Sequence, residues 1–118
     1  MPISFKMTAS VLDLESALAR VGGDRELLGE IATLFLDDYP LHLAELVSAI
    51  ERNDAPLVEK SAHALKGSVA TFGATSAVQA ALLLERAGRA QDLTGASQMM
   101  VDLQSLLTIL HVELERLT

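Results

Sequence analysis

Three residues within one short stretch could do chemistry together: His63, Lys66 and Gly67, in the run Ala62-His63-Ala64-Leu65-Lys66-Gly67-Ser68-Val69-Ala70. At about 100° per residue, Val58, Leu65, Val69 and Phe72 gather on one side of a helix, and His63 falls opposite them, in water. Lys66, Gly67 and Ala70 follow His63 by three, four and seven positions and share its outward face. A solvated imidazole is largely neutral at pH 7, so its lone pair is available to attack phosphorus and form a phosphoramidate. Such a transfer needs positioning and charge neutralisation above all, because negative charge spreads over the equatorial oxygens of the transition state. Lys66 can supply a point charge there. Gly67 costs its helix about 1 kcal/mol relative to Ala, and no kink or cap calls for it. The bare main chain instead leaves room for another molecule to come close beside His63.

Other candidate groups carry less. His42 and His111 lie far apart in sequence without a Lys-Gly neighbourhood and read as structural or surface residues. Three such dispersed histidines form no metal motif. Met99-Met100 reads as core filling, and Asp37-Asp38 as a helix end, since two adjacent carboxylates define no coordination sphere. There is no Gly-rich phosphate loop, nucleotide motif or ligand set with metal spacing. The chain is therefore expected to be no enzyme in its own right and to bind no cofactor.

The elements that must position His63 follow from composition and periodicity. A chain of 118 residues, half of them apolar, has material for one domain with its own core. Sixteen acidic against nine basic residues give a net charge of −7, which disfavours nucleic acid as a partner because backbone binding needs clustered Lys and Arg. The absence of cysteine excludes disulfides and thiolate metal sites. No apolar run approaches 18 residues, and the start lacks the apolar core of a signal peptide. The expectation is a cytoplasmic protein without membrane contact. Scarce aromatics and many Ala and Leu residues favour helix over sheet.

In chain order, residues 1–11 show no period and read as a flexible lead-in to a domain over residues 12–118. Asp13 caps a short first helix closed by Gly22-Gly23. Asp24 caps a second, reaching about Asp38 with Leu27, Leu28, Ile31, Leu34 and Phe35 at helical spacing. Pro40 divides it from a third that ends near Asn53. Asp54 and Pro56 open the His63 helix, which stops at Gly73. A fifth helix runs from Thr75 to Ala87, ended by Gly88, and the last begins near Asp92 or Thr94. Met99, Leu103, Leu106, Leu107, Leu110, Leu114 and Leu117 face inward on it. Short connections force sequential helices to pack antiparallel. The expected fold is all-α, an antiparallel up-down four-helix bundle with an additional short N-terminal helix, and monomeric by default.

The run His63-x-Leu65-Lys66-Gly67-Ser68 with Phe72-Gly73-Ala74 resembles the signature of histidine-containing phosphotransfer (HPt) domains, the intermediate carriers of two-component phosphorelays. Asp24-Arg25-Glu26-Leu27-Leu28, Phe35-Leu36-Asp37-Asp38-Tyr39-Pro40 and Leu84-Glu85-Arg86-Ala87 extend the likeness over about residues 12–117. The resemblance implies that His63 accepts a phosphoryl group from a receiver-domain aspartyl phosphate and relays it to another response regulator. It implies response-regulator receivers or a hybrid histidine kinase as partners, and a Mg²⁺ ion on the receiver. In this family a Glu or Gln on the following helix orients the ring; Glu85 matches that position, and Arg89 matches a basic residue of some members. An ordinary i,i+4 surface pair between Glu85 and Arg89 is the other reading. Ala64, Gly67, Ala70, Arg89 and exposed parts of the first two helices are the expected partner contacts. Two alternatives stand beside the carrier: a helical module that docks receivers without chemistry, and the substrate domain of a chemotaxis-type histidine kinase.

Overall fold

The computed structural model describes residues 10–118, and every regular element among them is a helix. They are α1 (Leu14–Arg20), α2 (Arg25–Glu51), α3 (Ala55–Ala70), α4 (Thr75–Arg89) and α5 (Ala96–Glu115). Asp13, Asp24 and Asp54 cap the first three, each carboxylate accepting from the main-chain N–H three residues on, at 3.0, 3.0 and 3.2 Å. No side chain caps α4 or α5, which start after Ala74 and Gly95.

Helices α2 to α5 form the bundle: each packs on its neighbour in sequence, and α5 closes the ring against α2. Leu28, Leu46, Val58, Leu65, Val69, Phe72, Leu84 and the α5 row Leu103, Leu107, Leu110 and Leu114 fill the interior. On α5, Met99 packs partly buried against the core and Met100 beside it is buried. Helix α1 lies against α2, and the Asp13 N–H donates to the Phe72 carbonyl at 3.1 Å, tying the α1 start to the α3–α4 corner. Gly73 turns that corner at φ +61° with Asp13 and Ser16 so near that a Cβ would meet both within 3.0 Å.

Two expectations are corrected. Pro40 does not divide two helices; α2 runs straight through it for 27 residues. A proline removes one ladder bond, here to the Leu36 carbonyl, and packing on both sides of it holds the helix together. Phe35 stacks on Tyr39 at 4.9 Å between ring centres and meets Phe72 edge-on at 5.3 Å, while Leu46 and Ala49 are buried beyond the proline. Gly88 does not end its helix either, because α4 continues to Arg89. A Cβ at Gly88 would stand 2.5 Å from the Glu59 nitrogen and 2.7 Å from the Ala55 carbonyl oxygen. The glycine serves a close approach of α4 to α3.

Leu34, expected on an apolar face, is 62% exposed. Val11 is buried, and the Val11 and Leu12 N–H groups donate to the Glu113 carboxylate at 2.9 and 2.8 Å. Packing thus takes in the end of the expected lead-in; its residues 1–9 lie outside the described residues.

Candidate functional site

His63 stands on the outer face of α3 with its side chain 68% exposed, opposite the fully buried Val58, Leu65 and Val69. Its neighbours are set by the helix period. Ala64 and Gly67 are exposed, and a Cβ at Gly67 would meet nothing within 4 Å. Ala70, one turn further, is half-buried. The space outside Gly67 is open.

The close approach of α4 at Gly88 brings Glu85 under the ring. Glu85 is 4% exposed, and three groups converge on its carboxylate. His63 Nδ1 lies 3.1 Å from Oε2, Lys66 Nζ 2.6 Å from Oε1, and Arg89 Nη2 3.1 Å from Oε2. Burial pushes the Glu85 carboxyl upward, but the contact with Lys66 outweighs it and, with His63 adding to the effect, holds the carboxyl below its ordinary value. Glu85 is therefore an ionised carboxylate in the seam between α3 and α4.

The charge state of Glu85 fixes the tautomer of the ring. A carboxylate can only accept, so His63 Nδ1 carries the hydrogen and donates to Oε2. In the neutral ring this tautomer leaves the lone pair on the second nitrogen, Nε2. Glu85 is thus brought to the ring, whereas the Lys66 ammonium lies on Glu85 and its side chain is only 25% exposed. Arg89 makes the i,i+4 pair with Glu85, whose carboxylate is buried rather than at the surface, and it lines the same depression as His63.

Glu59 was not singled out from the sequence. It precedes His63 by four positions and so shares its face; that spacing was the available signal. Its Oε2 accepts from Arg89 Nε at 2.9 Å. Pro56, Glu59, Lys60, His63, Glu85 and Arg89 line one shallow depression of about 340 Å³. His42 and His111 lie elsewhere: His42 lines a cleft between α2 and α3, and His111 Nδ1 is hydrogen-bonded to the Tyr39 hydroxyl at 2.7 Å. Among the described residues, no three potential metal ligands gather, and no helix is long and apolar enough to cross a membrane.

No curated protein sequence matches the chain. Among solved structures it is similar in fold to histidine-containing phosphotransfer protein B from Pseudomonas aeruginosa, with a TM-score of 0.84 at 20% identity over 92% of this chain and 94% of that one. The family model of the Hpt domain matches residues 30–116, most of α2 and all of α3, α4 and α5. With this match across its bundle, the chain belongs to the Hpt domain family, whose function is histidine phosphotransfer in phosphorelays.

Proposed function

We propose that His63 is the residue of this Hpt domain that carries the phosphoryl group, taking it from the aspartyl phosphate of a receiver domain and passing it to another. The observation that carries this reading is the bond from Nδ1 to the ionised Glu85, since it leaves Nε2 as the nucleophile on an exposed ring. In the forward step the Nε2 lone pair attacks phosphorus, the Nε2–P bond forms, the acyl P–O bond breaks and the receiver's carboxylate departs. The ring keeps its Nδ1 hydrogen and becomes a cation, and Glu85 beneath it offsets that charge. A protonated phosphoimidazole is a good donor, so the same contact serves the return step.

Lys66 keeps the buried carboxylate ionised and Arg89 helps to orient it, while Gly67, Ala64 and Ala70 form the low surface on which a receiver lands. The cleft between α2 and α3, lined by Leu34, Ser68 and Thr71, adjoins that surface and extends it. The divalent ion of such transfers belongs to the receiver, and the reaction asks for no nucleotide on this chain. On this reading the domain over residues 12–118 works as a monomeric cytoplasmic carrier without kinase activity. The test is transfer from a receiver domain labelled on its aspartate. Acid-labile, base-stable label should appear on the wild-type chain and be absent from His63→Gln; label that persists in that variant refutes the assignment.

A further inference from the structure

Arg89 is the one cation at the site that is both largely exposed, at 65%, and held by two carboxylates on different helices. Its Nη2 donates to Glu85 Oε2 at 3.1 Å and its Nε to Glu59 Oε2 at 2.9 Å. Glu85 is needed where it is, bonded to the ring. Glu59 touches neither His63 nor Lys66 among the observed contacts, and its hydrogen-bonding partner is Arg89 alone. The pair is not an accident of two long side chains meeting in water. Gly88 permits the α4 main chain to come so near the Glu59 nitrogen that no Cβ fits between them, and this contact sets the root of Arg89 beside the root of Glu59. Both line the depression that also holds His63.

We infer that Glu59 is a positioning residue that holds the Arg89 guanidinium beside the free imidazole and competes for it with the phosphoryl group once His63 is loaded. This rests on His63 being the carrier. A phosphoryl group on Nε2 brings about two negative charges to the same depression. A guanidinium matches phosphate oxygens in a two-pronged geometry, and so has reason to leave Glu59 for them. Glu59, a carboxylate four residues before His63 on one helical face, opposes this twice: it retains Arg89 and it repels the new charge. The chain thereby keeps the loaded state from becoming too stable, which a carrier that must give its cargo away requires. The ion pair is exposed, so the competition is modest and reversible.

The test reads the ionisation of the phosphoryl group itself by ³¹P NMR on the full chain loaded with phosphoramidate, whose P–N bond breaks and releases ammonia as the Nε2–P bond forms. In Glu59→Gln the second phosphoryl pKa should fall by about 0.5 unit relative to wild type, and in Arg89→Met it should rise by a similar amount. Adding Glu59→Gln to Arg89→Met should then move it by less than about 0.2 unit, because the residue to be released is gone. An equal fall in both backgrounds would mean that Glu59 acts by repulsion alone, and no rise in Arg89→Met would mean that Arg89 never reaches the phosphoryl group; either overturns the inference. Loss of the carrier reading looks different: no His63-dependent ³¹P signal in the wild type, which removes both proposals together.

Discussion

His63 and His111 sit on different halves of one bundle, and each is held through Nδ1 by a residue on another helix. His63 is bonded to Glu85 across the α3–α4 seam, His111 to Tyr39 across the α5–α2 seam. The difference lies in what is left over. His111 is 36% exposed, meets the Tyr39 ring edge-on at 5.7 Å and has Nε2 3.5 Å from Glu115, so both nitrogens are engaged. His63 is 68% exposed and keeps Nε2 free, beside a helix face stripped of side chains at Gly67. An oriented imidazole is therefore common to a clasp and to the nucleophile proposed here. A spare nitrogen and an open approach separate the two.

The sharpest way to break this comparison is to delete each ring. His63→Gln should lower phosphotransfer at least about a thousandfold, and His111→Gln should leave it within about twofold while costing roughly 1 kcal/mol of stability. Equal losses of transfer in the two variants would show that the distinction is wrong.

Next comes the partner under the ring. Glu85→Ala should slow transfer by about ten- to a hundredfold through loss of ring orientation, and cost about 1–3 kcal/mol because Lys66 and Arg89 lose a buried anion. The sign of its pH dependence follows from the lowered carboxyl. Glu85 contributes stability above its unfolded value of 4.5, and that contribution disappears as pH falls from there through the lower folded value. Urea titrations between pH 6 and 3 should show a steeper acid loss in wild type than in Glu85→Gln.

The two glycines of the site make a smaller but cleaner contrast. Gly67→Gln should reduce transfer by about tenfold by obstructing the receiver, yet raise stability by up to about 1 kcal/mol, since Gln is the better helix former and the site is empty. Gly88→Ala should do the reverse in stability, losing about 2 kcal/mol as α4 is pushed off Glu59 and Ala55. Smallest of all, Tyr39→Phe should lose about 1 kcal/mol with the His111 bond and leave transfer unchanged, as thermal melts and transfer assays would record.

Much of this was legible from local chemistry. Asp13, Asp24 and Asp54 announced the first three helix starts, because a capping carboxylate acts within three residues. The exposure of His63 and the burial of Val58, Leu65, Val69 and Phe72 followed from the period alone. What escaped was non-local. Pro40 reads as a boundary by its own chemistry, and only the stacking of Phe35, Tyr39 and Phe72 and the burial beyond it carry α2 through. Gly88 reads as a stop, although its purpose is a neighbour 29 positions away, the Glu59 main chain. Glu59 was passed over for the same reason: its meaning depends on Arg89, which the fold brings to it at the end of another helix.

The charges around His63 have a consequence for encounter. Lys60, Lys66 and Arg89 stand against Glu59 and Glu85 there, a sum of +1 on a molecule whose total is −7. For the phosphoryl donor proposed above, this patch offers a locally positive sum in place of the net negative charge of the whole chain, and so favours approach at His63. Because such guidance fades within a Debye length of about 8 Å in physiological salt, it works only over the last few water layers, where a brief visit becomes a productive one.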